Sequence, residues 1–426
     1  MCSSDLATLL RSETGDGKWA IRRGNIVLGR KQNETGKEGI WIVGRLPLLD
    51  LQGWSGWSDL PQSEGVLPNI AGIDVTLDEV VGFGTRVHDL NIRGSGRNGL
   101  VSTRLTSPEI TGDLIWQPQD QGRLLVRLKQ LKLGEGETNE GIIASPVYEQ
   151  TAGTASMPVV DMAVENLSWK GKQLGKLALI LEGDAEDVVL KSLRLTNPDA
   201  LIEANGRWLV RKGETQLNVK VEIADSGKLL ARSGYPDSVS GGKGVFESAL
   251  AWHGAPDAFN YPGLFGSIRV SVGKGRFLQV DPGAAKLLGV LSLQSLPKRI
   301  SLDFTDVFSP GFQFENISGM GLIENGMLKT EDFTMSGAAA KVSLRGEVDL
   351  QRETQQLQVR VFPALGDNVS LLSFAAGPAV GVGVLLANKL LRDPLDKLVS
   401  FDYNVSGSWA DPVVERIGSS KPPTGE

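Results

Sequence analysis

Apolar and polar residues alternate strictly in several segments of this chain, and this period of two limits what the chain can fold into. In QLNVKVEI, which starts at Gln216, every second residue is apolar. Because successive side chains of a β-strand point to opposite faces, each such segment predicts a strand with one apolar and one polar face, as in antiparallel sheets. The same alternation occurs at Ile268, Val270 and Val272; at Val342, Leu344 and Val348; at Leu357, Val359 and Val361; and at Phe401, Tyr403 and Val405.

Residues 73–116 and 160–208 form an internal repeat. The segment IDVTLDEVVGFGTRVHDL aligns without gaps on VDMAVENLSWKGKQLGKL, and RLTSP further on matches RLTNP. The offset between the two halves drifts from 87 to 90 residues, which indicates a short insertion. Repeated strand-and-turn units with no helix between them are typical of a stacked sheet that extends in one direction.

Glycines punctuate these strands in a way that indicates turns. Gly94, Gly96 and Gly99 match the GxGxxG pattern of a dinucleotide site, but the following LVSTRL predicts a strand where such a site needs a helix. A hairpin turn at Asn98–Gly99 explains these glycines better, and Asn325–Gly326 predicts a second hairpin.

The charge balance argues against one class of function. The 44 basic and 50 acidic residues give a net charge of −6, whereas nucleic-acid-binding proteins usually carry a basic surplus. The single cysteine, Cys2, excludes an intrachain disulfide. Cys-Ser-Ser-Asp resembles the start of a mature lipoprotein, but no hydrophobic segment precedes it, so residues 1–16 are interpreted as a leader or the start of a fragment.

The chain offers little that could carry catalysis. His88 and His253 are its two histidines, and neither lies in a metal-binding motif. Asp303 and Asp306 lie close enough for an acid–base pair, but turn-capping carboxylates fit their surroundings better. We therefore expect no catalytic residue, no metal and no cofactor, and we do not expect an enzyme.

Two segments predict helices. Asp281 suits an N-cap, and Leu287, Leu288 and Leu291 follow at helical spacing, so a helix is expected at 282–296. The stretch 368–388 carries no charge but contains several Gly and one Pro, which favours an apolar helical hairpin at 368–391 over one straight spanning helix.

One long segment resembles a known family. DPGAAKLLGVLSLQSLPKRISLDFTDVFSPGFQFENISG, which starts at Asp281, closely resembles the C-terminal region of the large YhdP proteins of Gram-negative bacteria, members of the AsmA-like group. The ending YNVSGSWADPVVERI and most of the remaining chain resemble the same family more weakly. The resemblance implies an elongated β-groove that conducts phospholipid between membranes. It also implies a periplasmic protein whose inner-membrane anchor is absent from this chain and whose C-terminal end lies towards the outer membrane.

Together these observations predict a mainly β fold: an elongated, repetitive antiparallel sheet curled into a hydrophobic groove, with amphipathic and apolar helices near the C-terminal end. Residues 17–225 are expected to form the repetitive β-groove, and 226–426 the AsmA-like C-terminal region, with a turn-rich segment or hinge at 226–256. A sheet with one apolar face must cover that face. The residues leave open whether a closed sandwich or an open groove does so.

The expected function is non-enzymatic phospholipid transport between the inner and outer membranes, which supports the outer-membrane permeability barrier. The lipid-groove candidates are Leu217, Val219, Val221, Ile268, Val270, Val272, Val342, Leu344, Leu357, Val359 and Val361. The candidates for contact with the outer membrane are Leu287, Leu288, Leu291, Val382, Val384, Leu385 and Leu386. The competing interpretation is that both helical elements simply cap the sheet core.

Two other classes of function stay open. A β-rich scaffold or assembly factor for outer-membrane proteins would have an outer-membrane protein as its partner and would need exposed sheet edges that bind strands. An adhesin-like β-repeat protein would have a closed, dry core.

Overall fold

The fold was examined in a computed structural model. It describes residues 7–13, 19–29, 38–50, 70–82, 85–119, 121–134, 158–183, 187–256, 258–278, 313–338, 340–363 and 400–417. The predicted helix at 282–296 and the predicted hairpin at 368–391 lie outside the described residues, and so do all the membrane-contact candidates.

Strands dominate the described residues, so the prediction of a mainly β fold is confirmed. The strands are β1 (Ala7–Glu13), β2 (Trp19–Gly29), β3 (Gly39–Leu46), β4 (Leu49–Asp50), β5 (Ile70–Gly82), β6 (Thr85–Arg97), β7 (Leu100–Thr106), β8 (Ile110–Gln117), β9 (Arg123–Leu133), β10 (Val159–Trp169), β11 (Lys172–Gly183), β12 (Asp187–Thr196), β13 (Ala200–Leu209), β14 (Glu214–Ile223), β15 (Val239–Gly241), β16 (Gly244–His253), β17 (Phe265–Phe277), β18 (Gln313–Glu324), β19 (Met327–Gly337), β20 (Ala340–Asp349), β21 (Thr354–Pro363), β22 (Phe401–Ser408) and β23 (Pro412–Ile417). The helix α1 spans Ser226–Arg232, and a 3-10 turn spans Val210–Lys212.

The chain divides into two compact units. Unit 1 comprises Met1–Val219 and His253–Phe259, and unit 2 comprises Lys220–Trp252 and Asn260–Glu426. In unit 1, consecutive strands pair antiparallel from β5 to β9 and again from β10 to β13. In unit 2, consecutive strands pair antiparallel from β16 to β23, and β15 also pairs with β17. The domain boundaries inferred from the sequence stay a prediction.

The two halves of the internal repeat occupy equivalent strands of unit 1, β5 to β8 and β10 to β13. Arg104 on β7 pairs with Asp113 on β8, and Arg194 on β12 pairs in the same way with Glu203 on β13. The offset between the two halves of the repeat increases at β12, which has 10 residues, whereas the equivalent strand β7 has 7. Because β12 also shifts register against β13, the inserted residues are absorbed as a bulge within the strand.

The turns of the two halves use the same chemistry with different residues. Ser107 Oγ accepts a hydrogen bond from the amide of Ile110 at 2.8 Å, and Asn197 Oδ1 accepts one from the amide of Ala200 at 2.9 Å. Short Ser and Asn side chains mimic a backbone acceptor in this position. The matching RLTSP and RLTNP segments are therefore turn signals.

Both predicted hairpin turns are confirmed. Asn98 and Gly99 have φ values of 54° and 79° between β6 and β7, and Asn325 and Gly326 have 51° and 75° between β18 and β19. Two consecutive positive φ values define the tight turn whose twist matches that of the flanking strands, and Asn-Gly is its preferred sequence. The GxGxxG glycines thus belong to a hairpin, as expected.

Part of unit 1 departs from the antiparallel pattern. β2 pairs with β3, β3 and β4 pair with β5, and β9 pairs with β10, all in parallel. Parallel neighbours need a long crossover rather than a tight turn, and residues 134–158 provide that length between β9 and β10. The sequence analysis missed these pairs because alternation has the same period in parallel and antiparallel strands.

The segment 226–256 is more regular than the turn-rich segment expected from its composition. It begins with α1, whose first turn is capped by Asp225 Oδ1 accepting from the amide of Lys228 at 3.1 Å, and continues as β15 and β16. A helix of seven residues is too short to show helical periodicity in a sequence, so only the capping residue could have indicated it.

The densest core of unit 2 lies between the apolar faces of β20, β21 and β22. Val342 faces Val361 and Leu344 faces Val359 in register across β20 and β21. The large buried aliphatic side chains of β20 and β21 are 0–2 % exposed. They are Val342, Leu344, Val348, Leu357, Val359 and Val361.

The opposite face of these strands carries cross-strand polar pairs. Arg360 pairs with Asp402 at 2.6 Å, Lys329 pairs with Glu347 at 3.2 Å, and each pair joins residues directly opposite in register. Exposed pairs of this kind contribute little stability each. These pairs instead favour one register of the strands, because a shift of one residue would place the charged side chain on the apolar face.

We expect Leu357→Ala to lower the free energy of unfolding by about 2–5 kcal/mol, because the variant leaves a cavity where the side chain is 2 % exposed. Urea unfolding followed by circular dichroism measures the change. The control is Gln356→Ala, on the exposed face of the same strand, for which we expect a change within about 0.5 kcal/mol. Equal losses in the two variants would contradict this assignment of the faces.

Candidate functional site, an apolar groove

An apolar groove with a volume of about 470 Å³ lies on the apolar face of the unit 2 strands. It is lined by side chains from α1, β15 and β17 to β20, and by Tyr261, Leu350 and Trp409. Its volume falls in the range of about 300–1,000 Å³ that is usual for small-molecule sites. The groove is therefore a candidate for a binding site among the described residues.

The alternating residues of β17 form one wall of the groove. Ile268, Val270 and Val272 all line it. Between them, Arg269 points to the other face and interacts with Glu247 at 3.9 Å. This arrangement follows directly from the period of two in the sequence, since one face of β17 is hydrocarbon and the other is charged.

Two glycines on β18 create the depth of the groove. Gly319 and Gly321 are directly opposite Val270 and Ile268 in register, so β18 has no side chain at those levels. A Cβ at Gly319 would lie 2.7 Å from the Cα of Phe333, and one at Gly321 would collide with the side chain of Leu328. Phe333 and Leu328 of β19 therefore fill space that larger residues on β18 would occupy.

A bulge in β19 positions these two side chains. β19 shifts register against β18 between the levels of Ser318 and Leu322, and against β20 between Thr330 and Phe333. The polar groups released by the bulge are satisfied at Met320, whose amide donates to Asp332 Oδ1 at 2.8 Å and whose carbonyl accepts from Thr330 Oγ1 at 2.7 Å. Bulges re-aim side chains in this way next to binding sites.

The groove runs between two different ends. At one end the rings of Phe277 and Phe314 pack at 5.0 Å between centroids. At the other end Leu350 and Trp409 lie beside hairpin turns, where Trp409 N donates to the carbonyl of Glu353 at 2.8 Å. We call this second end the turn end of the groove.

The described walls of the groove carry no charged side chain. The hydroxyl of Ser226 is occupied, because it donates to the carbonyl of Gly241 at 2.6 Å. In the neighbouring core, burial raises the pKa of the Tyr403 phenol, so this hydroxyl is neutral at physiological pH. Such walls can bind a ligand surface that is apolar and uncharged.

The sequence-derived groove candidates fall into three places in the structure. Ile268, Val270 and Val272 are brought together in the groove. Val342, Leu344, Leu357, Val359 and Val361 lie in the adjacent core, where protein atoms cover them almost completely. Leu217, Val219 and Val221 are partly buried on β14. The role of all of them in binding lipid stays a prediction.

Several groove residues were not found from the sequence. Gly319 and Gly321 lie in the segment ENISGMGLIENG, where two glycines two residues apart within a strand were the available signal. Phe333, Leu328 and Trp409 gave no signal, because their contribution depends on the bulge and on neighbouring turns.

Of the two histidines considered as metal ligands, His88 has a structural partner in unit 1. Its Nδ1 lies 3.0 Å from Glu109 Oε1, and its amide donates to Glu109 Oε2 at 3.1 Å. Burial raises the pKa of Glu109, but the hydrogen bonds from the side chain and amide of His88 outweigh burial and hold that pKa below its ordinary value of 4.5. The pair anchors the turn between β7 and β8.

Comparison with known proteins decides the family. The YhdP family model, described as YhdP protein, matches residues 2–414. The chain belongs to the YhdP family. This confirms the resemblance that the sequence analysis found at 281–319.

A curated relative in this family is the intermembrane phospholipid transporter YhdP of Escherichia coli strain K12. It is 27 % identical to this chain over 243 residues, which are 54 % of this chain and 19 % of the relative. The match thus spans about a fifth of the relative's length. No solved structure matches the chain. Among the described residues, no helix combines the length and apolar character needed to cross a membrane.

We expect Glu109→Gln to destabilise this YhdP-family chain at pH 7 and to lose that effect in acid. A carboxyl group whose pKa is lowered by folding stabilises the folded state above its ordinary pKa, here 4.5, and the stabilisation disappears as the pH falls through the lowered value. Thermal unfolding of both proteins between pH 7 and pH 3 measures the difference. An unchanged difference across this range, or the same profile for the exposed control Glu165→Gln, would contradict the lowered pKa.

Proposed function

We propose that this chain is part of a protein that carries phospholipid between the inner and outer membranes through a continuous hydrophobic β-groove, without catalysis. The observation that carries the proposal is the uncharged groove of β17 to β19 in a member of the YhdP family. The name of the curated relative, an intermembrane phospholipid transporter, supports the same substrate. On this proposal the protein works in the periplasm, anchored in the inner membrane, and supports the outer-membrane permeability barrier.

The energetics of lipid transfer explain why a groove is needed. Each methylene removed from water gains about 0.8 kcal/mol, so two acyl chains crossing water unshielded would cost on the order of 20 kcal/mol or more. A strand series with alternating residues supplies hydrocarbon on one face and polar pairs such as Arg360–Asp402 on the other. A carrier with this arrangement shields the chains while its outer surface stays wetted.

The nearly inaccessible core residues fit the proposal as support for the groove walls. Leu344 lies directly opposite Phe333, which lines the groove, and Val359 lies directly opposite Leu344 on the next strand. Substitutions at these core positions would lower stability as well as change the groove, so they would not report on lipid alone. Tests of binding therefore belong at Ile268 and Val270 of β17, whose side chains are only partly buried.

A second candidate function, a scaffold for outer-membrane proteins, rests on the edge of unit 2. β23 is the last strand of the described series and exposes Val413 at 50 % and Ile417 at 40 %. An exposed apolar edge can accept a strand from a partner. Transfer of phospholipid would be secondary in that case.

We expect the purified chain to retain phospholipid near or above one molecule per chain, and the double variant Ile268→Asp with Val270→Asp to lose most of it. Carboxylates in a hydrocarbon groove disfavour acyl chains. Mass spectrometry of lipids that co-purify after gentle extraction measures the ratio. The matched control is Ser271→Asp on the polar face of the same strand, which should keep its lipid. A folded wild-type chain without lipid would refute the groove and favour the scaffold.

We expect the double variant Leu288→Asp with Leu291→Asp to lose binding to phospholipid vesicles while the strands stay folded, because these leucines form the apolar side of the predicted helix at 282–296. Vesicle flotation and circular dichroism measure the two properties. Gln294→Asp, at a polar position of the same predicted helix, is the control. Loss of the fold in the double variant would instead indicate that the helix caps the core.

A further inference from the structure

The turn end of the groove contains a hydrogen-bond donor without a partner. Trp409 lines the groove, and its Nε1 is buried and makes no hydrogen bond with any described residue. The indole N–H can only donate. The hydroxyls of Ser226 and Thr330 elsewhere in the groove are already bonded to backbone carbonyls, so Trp409 differs from them. Native proteins rarely leave such a buried donor unused.

A second buried polar side chain lies on β21, the strand next to β22. Gln355 is 5 % exposed, and neither its Oε1 nor its Nε2 has a partner among the described residues. It is directly opposite Val348 in register, so it lies on the same face of the sheet as that groove residue. Its partner on the other side is Gly407, which has no side chain to cover it and which precedes Trp409 by two residues.

These two residues identify the chemistry of what occupies the turn end. Trp409 and Gln355 together offer uncharged donors and one acceptor, and the described groove walls contain no Lys or Arg. A phosphate held there would be a buried charge without a counter-charge, which is costly. A neutral carbonyl group satisfies the donors without that cost.

We propose that the turn end binds the ester-linked glycerol region of a diacyl phospholipid, with Trp409 Nε1 donating to an ester carbonyl and the Gln355 side chain completing the site. This inference rests on the proposed function. The acyl chains then lie along Ile268, Val270 and Val272 towards Phe277. The phosphate stays in water beyond the hairpin turns, so the headgroup is not what the groove recognises.

The site therefore distinguishes ester-linked from ether-linked lipids, because an ether lacks the carbonyl acceptor. The experiment offers the chain vesicles with equal amounts of diester and diether phosphatidylglycerol of the same chain length, and measures the bound ratio by mass spectrometry. We expect the wild-type chain to enrich the diester roughly fivefold, the ratio that one hydrogen bond provides. Trp409→Phe keeps an aromatic ring but has no N–H, and its ratio should fall to about one while its binding of the diether is unchanged.

Two further variants keep the test decisive. Trp169→Phe, at a tryptophan that is 49 % exposed in unit 1, should keep the wild-type ratio. Gln355→Met removes the amide at similar volume and should also reduce the ratio, so the result does not depend on the folding of one variant. A wild-type chain that binds both lipids equally would overturn this inference and leave the proposed function intact. A folded chain that binds neither lipid would overturn both.

Discussion

Cross-strand register is the interaction on which the rest of this structure depends. The pairs Val342–Val361 and Leu344–Val359 meet on one face only because β20 and β21 are aligned residue for residue. On the other face the same alignment brings Arg360 to Asp402. A shift of one residue would bury the charged side chains and expose the apolar ones. The apolar contacts on one face and the ion pairs on the other therefore stabilise the same register. The groove and the core are both consequences of this alignment.

Core and groove are built from the same alternating pattern, and small local features separate them. Where β20, β21 and β22 meet, each level is filled by branched side chains and the face is closed. On β18, Gly319 and Gly321 have no side chains on this face. The bulge in β19 directs Phe333 and Leu328 into the space that side chains at these two positions would occupy. The groove is thus an interruption of the core at a defined place.

The features that depend on local chemistry could be predicted from the sequence. Alternation predicted the strands of unit 2, Asn-Gly predicted the hairpins, and matching RLTSP and RLTNP segments located equivalent turns at Ser107 and Asn197. The sequence was not sufficient where distant strands decide the outcome. Val270 and Val342 show the same alternation, yet one lines the groove and the other is fully covered, because their neighbours differ. Strand direction at β9–β10 was missed because alternation has the same period in parallel and antiparallel pairs, and α1 was missed because seven residues are too few to show helical periodicity.

The parallel junction between β9 and β10 has a consequence for how unit 1 reaches its structure. Within each half of the repeat, every antiparallel pair closes through a short connection, so the pairs can form locally and early. The junction instead pairs strands that are separated by 25 residues of the chain, between Leu133 and Val159, so the entropic cost of bringing them together is larger. The two halves of the repeat would then form separately, and the pairing of β9 with β10 would form after them.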